Sequence, residues 1–160
     1  MSKSVFVDTS GWLAAVSDRE RHHAEAATVY DELVQRRARL VTTNLVVAEM
    51  HILTVRAQNA AAGCALLDAI YADPLYTVVT VTRELESDAT DRWLRRYQDQ
   101  SLSLADAVSF EVMRRERIDE ALALDHHFEV AGYKLLPTAR SAITRTSSPH
   151  QRKRGRPKTR

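Results

Sequence analysis

The sequence has few of the residues that mark several common classes of protein. Its single cysteine, Cys64, cannot form an internal disulfide, and its Ala-rich helical surroundings favour a small core residue over a nucleophile. The four glycines, at positions 11, 63, 132 and 155, form no phosphate-binding loop. No apolar stretch is long enough to span a bilayer, and Asp8 interrupts the only N-terminal candidate for a signal sequence. We therefore expect a cytoplasmic protein.

Acidic residues are absent from the end of the chain. Residues 140–160 carry eight Lys or Arg and no Asp or Glu, whereas residues 1–139 carry 15 basic and 21 acidic side chains, a net charge of −6. Apolar residues also become scarce beyond Pro137. These changes in composition predict one domain over residues 1–138 and a basic, flexible tail over residues 139–160.

Short apolar runs alternate with helical patterns along the first 138 residues. Strands are predicted at residues 4–7, 40–43, 76–81, 121–124 and 134–136. Helices are predicted at residues 12–16, 21–39, 45–58, 60–71, 83–99 and 104–117, with Asn44 and Thr82 as two of the N-caps. No hairpin signal such as Asn-Gly occurs. This order predicts an α/β protein, a three-layer α/β/α fold with a central, mostly parallel sheet and right-handed crossovers.

Two acidic residues follow predicted strands. Asp8 comes directly after the apolar run 5–7, and Asp125 comes directly after the run 121–124. The carboxyl ends of strands border the ligand crevice in open α/β sheets, so neighbouring strands would bring the two carboxylates together there. The alternatives are that Asp8 only caps the helix after it, and that Asp125 only belongs to a turn at the end of its strand.

Two further acidic residues lie on predicted apolar helix faces. Glu49 shares its face with four apolar residues, Leu45, Val46, Ile52 and Leu53. Asp106 shares its face with Phe110 and Met113, and the opposite face, predicted to be solvated, carries Glu111, Arg114 and Arg115. The alternatives are an ion pair between Glu49 and a buried arginine, and a capping box between Ser103 and Asp106.

Together these positions predict four carboxylates in one crevice, namely those of Asp8, Glu49, Asp106 and Asp125. Like charges at short distance oppose folding unless a cation joins them. Ligands that are all oxygen atoms favour a hard cation, Mg²⁺ or Mn²⁺, over zinc. Such a cation activates water and stabilises the oxygens that attack and leave a phosphate. The set therefore predicts hydrolysis of phosphodiester bonds.

Three segments carry a family resemblance by their order and spacing. They are Val7-Asp8-Thr9-Ser10, Val46-Val47-Ala48-Glu49, and the stretch from Ser103-Leu104-Ala105-Asp106 through Leu124-Asp125-His126-His127-Phe128. Over about residues 4–137 the chain resembles the PIN-domain ribonucleases, in particular the VapC-type toxins of bacterial toxin–antitoxin pairs. The resemblance implies a Mg²⁺- or Mn²⁺-dependent endoribonuclease that dimerises and is neutralised by a cognate antitoxin. It also implies that Asp8 and Asp106 are the principal metal ligands, and that Glu49 and Asp125 complete the site directly or through water.

Other polar and aromatic residues have roles around this site or in the core. Four hydrogen-bond donors are candidates for holding the carboxylates in place, namely Thr9, Ser10, Asn44 and Ser109. The pairs His22-His23 and His126-His127 adjoin the ends of predicted elements, which favours solvated or helix-capping roles. Trp12 and Trp93 are predicted to be core or interface anchors.

The basic tail is the second specific feature of the sequence. Its candidate nucleic-acid-binding residues are Arg152, Lys153, Arg154, Arg156, Lys158 and Arg160. The stretch Arg154-Gly155-Arg156-Pro157 resembles the core of an AT-hook, which binds the narrow minor groove of A·T-rich DNA. A generic polybasic segment that attracts RNA or DNA through phosphates is the favoured interpretation. The tail also supports an alternative function, that of a non-catalytic nucleic-acid-binding protein with a PIN-like fold.

Overall fold

The computed structural model describes residues 3–138, so the predicted tail at residues 139–160 lies outside the described residues. Along this part of the chain, short strands alternate with helices. The elements are β1 (Ser4–Val7), α1 (Thr9–Val16), α2 (His23–Gln35), β2 (Arg39–Thr43), α3 (Asn44–Ala57), α4 (Ala60–Ala72), β3 (Tyr76–Val79), α5 (Arg83–Ala89), a π-helical turn (Thr90–Leu94), α6 (Leu104–Glu116), β4 (Glu120–Leu122), α7 (His127–Val130) and β5 (Lys134–Leu136). Among these described helices, none has the length and apolar character to cross a membrane.

The five strands form one sheet in the order β3-β2-β1-β4-β5, and all four pairings are parallel. The central strand is β1, where Phe6 pairs with Val41 on one side and Ala121 on the other. Both faces of β1 are covered, because Val5, Phe6 and Val7 are fully buried. A short, continuous apolar run is typical of such a strand. The predicted parallel sheet is confirmed.

Helices cover both faces of the sheet. The chain moves from β1 towards β3 in one direction and then crosses back to β4 and β5 on the other side of β1. Right-handed crossovers therefore place α1–α4 on one face and α5–α7 on the other. On the second face, the ring of Phe110 from α6 packs edge-on against Phe128 from α7 with centroids 4.9 Å apart. The three-layer α/β/α fold is confirmed, and Trp12 and Trp93 are buried as predicted.

The crossover direction reverses between β1 and β4, which is where open α/β sheets form their ligand crevice. The backbone N–H of Asp8 donates to the carbonyl of Leu122 at 3.1 Å, so β1 and β4 end together. The first turn of α1 then passes very close to β4. A Cβ atom on Gly11 would lie 2.2 Å from the carbonyl oxygen of Leu122, so this approach requires glycine.

Several element boundaries differ from those predicted. The helix expected to run from 83 to 99 is instead α5 followed by the π-helical turn, in which Trp93 packs against Phe110 with ring centroids 5.4 Å apart. The helix expected over 21–39 is shorter, because Arg37 adopts a left-handed conformation with φ of 53° that ends α2. The strand expected over 121–124 ends at Leu122. The short helix α7 was not predicted, since four residues are too few to show a helical period.

Three side-chain environments also correct the predictions. Cys64 is exposed and is therefore not a core residue. The positions of α4 that are buried are Gly63 and Ile70. Thr43, rather than Asn44, caps α3 by accepting a hydrogen bond from the backbone N–H of Val46 at 3.2 Å. Glu111, predicted to be solvated, is fully buried, because the π-helical turn folds over it.

Candidate active site

Asp8 is held at the end of β1 through one of its two carboxylate oxygens. The backbone N–H of Ser10 donates to Asp8 Oδ2 at 3.0 Å, and the Ser10 hydroxyl donates to the same oxygen. Asp8 is therefore the N-cap of α1, as its alternative interpretation expected. Within residues 3–138, no hydrogen bond reaches the other oxygen, Oδ1.

Asp106 shows the same arrangement at the start of α6. The backbone N–H and the hydroxyl of Ser103 both donate to Asp106 Oδ2 at 2.8 Å, and the backbone N–H of Asp106 donates to Ser103 Oγ at 3.1 Å. The capping box is thus present. The described residues supply no donor to Asp106 Oδ1, so this oxygen stays available after the cap has formed.

Glu49 lies on α3 and is held by α1. The Thr9 hydroxyl donates to Glu49 Oε2 at 2.8 Å. The expectation of a buried apolar face is wrong here, because Glu49 is exposed and the buried residues of α3 are Val46, Val47 and Met50. The structure records no ion pair between Glu49 and an arginine of the described chain, and Glu49 Oε1 receives no hydrogen bond from it.

Asp125 follows β4 after two intervening residues and is held by the start of α7. The backbone N–H of His127 donates to Asp125 Oδ1 at 2.9 Å, and the Nδ1 atom of His127 lies 3.1 Å from the same oxygen. His126 Nδ1 is 3.5 Å from it. A turn at the end of the strand, the alternative for Asp125, is therefore present. Asp125 Oδ2 has no hydrogen-bond donor in the part of the chain that the structure describes.

Electrostatics place three of these acids in one neighbourhood. Burial raises the pKa of Asp8, the hydrogen bonds from Ser10 oppose this effect, and the negative charges of Asp106 and Glu49 raise the pKa further. Asp125 is connected through Ser10, whose Oγ accepts a hydrogen bond from the backbone N–H of Leu124 at 3.0 Å. Asp8, Glu49 and Asp106 therefore lie close enough for their charges to interact, and the loop that carries Asp125 is tied to the same end of β1 through Ser10.

The four predicted supporting donors divide into two pairs. Thr9 and Ser10 donate to carboxylates, as described above. The side chain of Asn44 instead accepts from the backbone N–H of Val81 at 2.8 Å and ties α3 to the segment after β3. The Ser109 hydroxyl donates to the carbonyl of Ala105, one turn earlier in α6, at 2.7 Å. Neither Asn44 nor Ser109 has a recorded hydrogen bond to a carboxylate within residues 3–138.

The sequence favours a solvated or helix-capping role for His127, but in the structure its ring contacts Asp125. His126 is exposed as predicted, but only 15% of the His127 side chain is accessible to solvent. Ligand atoms of Asp125, His126 and His127 all lie within 4.8 Å of one another. The signal in the sequence was the Asp-X-His spacing, since a residue two positions after an aspartate reaches its carboxylate in a tight turn.

The donor set fits a hard divalent cation. Each of the four carboxylates has one oxygen held by hydrogen-bond donors of its own surroundings, and each has a second oxygen without such a donor in the described chain. Carboxylate oxygens of this kind are ligands that Mg²⁺ or Mn²⁺ accepts, and they lack the sulfur and nitrogen character that zinc favours.

Comparison with known proteins agrees with this geometry. The family model of the PIN domain matches residues 5–133. The chain belongs to the PIN-domain family. The 23S rRNA-specific endonuclease VapC20 of Mycobacterium tuberculosis is 33% identical over 129 residues, which cover 81% of this chain and 95% of that protein. The family resemblance inferred from the three sequence segments is confirmed.

Solved structures show the same PIN fold. The crystal structure of M. tuberculosis VapC20, described as a sarcin–ricin loop cleaving toxin, superposes with a TM-score of 0.69 at 34% identity and covers 81% of this chain and 96% of that one. FitAcB from Neisseria gonorrhoeae gives a TM-score of 0.60 at 13% identity, with 82% and 95% covered, and so supports the fold alone. The protein is therefore a PIN-domain nuclease of the VapC toxin type, a class that uses divalent metal ions, acts on RNA and pairs with antitoxins.

Proposed function

We propose that this PIN-domain protein is a Mg²⁺- or Mn²⁺-dependent endoribonuclease whose ion is held by Asp8, Glu49, Asp106 and Asp125. The observation that carries the proposal is the same in each carboxylate. One oxygen accepts hydrogen bonds from its surroundings, and the other receives none from the described chain. Asp8 and Asp106 are the principal ligands. Glu49 and Asp125 complete the site directly or through water, because Glu49 is exposed and Asp125 lies on a loop.

Hydrogen bonds from neighbouring residues restrain the orientation of these carboxylates. Ser10 and Ser103 each supply two donors to one oxygen, which fixes the rotation of the Asp8 and Asp106 side chains. Thr9 restrains Glu49, and the His127 backbone restrains Asp125. A divalent ion held by these residues would lower the pKa of water and offset charge on the phosphate. The protein itself thereby contributes the orientation of the carboxylates and a negatively charged site that favours a cation.

The proposed substrate is ribosomal RNA of the large subunit, cut within a structured loop. This proposal is supported by the activity of VapC20, a 23S rRNA-specific endonuclease, together with 33% identity over 129 residues. Hydrolysis leaves a 5′-phosphate and a 3′-hydroxyl. We further propose that the protein acts in the cytoplasm as a homodimer and is neutralised by an antitoxin encoded beside it, as is usual for toxins of this type.

The test is cleavage of a panel of structured RNAs, including 23S rRNA, by the purified full-length protein with Mg²⁺, Mn²⁺ or EDTA. Asp8→Asn should reduce cleavage more than about 100-fold, because loss of a mere supporting contact in a metal site costs about 10–100-fold. Asparagine is also a good N-cap, so the fold should be kept. Asp68→Asn, an identical change at an exposed position of α4, is the matched control and should cleave like the wild type.

Ion binding gives a second, independent readout. Mn²⁺ should raise the melting temperature of the wild type and of Asp68→Asn but not that of Asp8→Asn, because only the native state binds the ion. A 2′,3′-cyclic phosphate product would contradict the proposed hydrolysis. Salt-sensitive binding of nucleic acid with neither cleavage nor stabilisation by Mn²⁺ would favour the alternative, a non-catalytic binding protein.

A further inference from the structure

The chain carries a basic segment, residues 139–160, for which the match to VapC20 leaves almost no counterpart. The match to VapC20 covers 95% of that protein within 129 residues, so almost nothing of it remains to correspond to residues 139–160. This extension, which we call the tail, has eight Lys or Arg and no acidic residue. Its charge therefore needs an explanation beyond the shared nuclease fold.

The described chain ends at the edge of the sheet where the crevice lies. All pairings of the sheet are parallel, so β5, after which the tail begins, ends on the same side as β1 and β4. The backbone N–H of Ala123 donates to the carbonyl of Leu136 at 3.2 Å, and that of Asp8 donates to the carbonyl of Leu122 at 3.1 Å. Two strand spacings, about 10 Å in all, thus separate the end of β5 from Asp8.

The domain alone is poorly suited to attract a polyanion. Residues 1–139 carry a net charge of −6, and the proposed ion site places four of these acidic side chains where RNA must approach. Several basic side chains of the described domain are already engaged in ion pairs with acidic ones, namely Lys3, Arg39, Arg92, Arg95, Arg114 and Arg115. Positive charge near the crevice would relieve this repulsion.

We propose that the basic residues of the tail bind RNA phosphates that flank the bond to be cleaved in the same molecule's crevice. This inference rests on the proposed ribonuclease function. A chain of 22 residues spans at most about 75 Å when fully extended, far more than the roughly 10 Å between the end of β5 and Asp8. Phosphate binding depends on the charge of the side chains and not on the order of the residues in the sequence. The Arg-Gly-Arg-Pro stretch therefore contributes its positive charge and does not act as a groove-binding motif.

The experiment compares three full-length proteins at several salt concentrations on the RNA that the wild type cleaves. The first variant replaces all eight Lys and Arg of residues 140–160 by Gln, and the second scrambles the order of residues 139–160. Each phosphate contact contributes about 0.7 to the slope of log affinity against log salt. If four of the eight cations bind phosphates, the wild type should have a higher kcat/KM than the Gln variant at low salt. The ratio of the two kcat/KM values should then fall about 20-fold when the salt concentration rises threefold. The scrambled variant should behave like the wild type.

The outcomes separate this inference from the proposed function. Equal salt slopes for the wild type and the Gln variant, with cleavage intact, would overturn the tail proposal alone. Faster cleavage by the Gln variant at low salt would also overturn it, because the tail would then obstruct the crevice. A loss in the scrambled variant, with preferential binding of A·T-rich duplex DNA by the wild type, would indicate an AT-hook instead. Absence of metal-dependent cleavage by the wild type would overturn the ribonuclease function itself.

Discussion

Replacing Glu111 by Gln is expected to destabilise the fold by about 2–3 kcal/mol at neutral pH. The Glu111 side chain is fully buried in α6 and accepts hydrogen bonds from Arg114 at 2.7 Å, Arg115 at 3.1 Å and Trp93 at 3.3 Å. Arg92 from the π-helical turn approaches to 3.2 Å. The carboxylate thus joins α6 to the π-helical turn on the face of the sheet that carries Asp106.

The magnitude follows from the ionisation of Glu111. Burial disfavours its charged form, but the hydrogen bonds from Arg114, Arg115 and Trp93 outweigh this effect and lower the pKa from 4.5 to about 2. Such a change corresponds to about 3 kcal/mol in favour of the folded state. Gln keeps the shape and can still accept from Trp93, so the loss should fall somewhat below this value. For a domain of this size the melting temperature should drop by about 5–10 °C.

The assay is urea unfolding of the wild type, Glu111→Gln and the matched control Glu116→Gln. Glu116 is on the same helix and also pairs with an arginine, Arg39 at 2.9 Å, but both side chains are 40% exposed. Its replacement should therefore cost less than about 1 kcal/mol. Because the pKa of Glu111 is lowered on folding, its contribution is complete above pH 4.5 and is lost as the pH falls towards 2. Equal effects of the two substitutions at pH 7, or a difference that stays constant as the pH falls from 4.5 towards 2, would refute the reasoning.

Two further predictions concern the start of α1. Asp8→Asn should stabilise the protein at pH 7, because burial and the charges of Asp106 and Glu49 raise the pKa of Asp8 in the folded state, and the gain should disappear as the pH falls below 3.8. Urea titrations at several pH values will measure this. Gly11→Ala should cost about 1–3 kcal/mol or more, because the new Cβ would lie 2.2 Å from the carbonyl oxygen of Leu122. Gly63→Ala is its thermal-unfolding control and should cost less, since the neighbours there are side chains that can move.

Features decided by local chemistry could be predicted from the sequence. The run Val5-Phe6-Val7 followed by Asp8 is apolar without interruption, which is typical of a strand buried on both faces, and β1 is such a strand. Ser103 and Asp106 stand three residues apart in the pattern of a capping box, and α6 begins there with that box formed. Both features depend on residues close together in the chain, so neighbours in space cannot change them much.

Features decided by distant contacts could not be predicted. Helical periodicity assigned Glu111 to a solvated face because α6 was considered alone, whereas Arg92 and Trp93 of the π-helical turn cover that face. No glycine or proline between residues 83 and 99 signals the end of α5. The break is set instead by packing, since Trp93 lies against Phe110 of α6 and stacks on Tyr97 at a centroid distance of 6.0 Å.

For the candidate site, the capping and metal-binding interpretations of its acids turn out to be compatible. A cap or a tight turn needs one carboxylate oxygen, and Asp8, Asp106 and Asp125 each use one oxygen in this way. The second oxygen then points in a direction set by the backbone of the element that the first oxygen holds. A local signal for a cap therefore does not argue against a ligand. It accounts for how carboxylates at the ends of different elements can be oriented before any ion binds, which lowers the entropic cost of binding it.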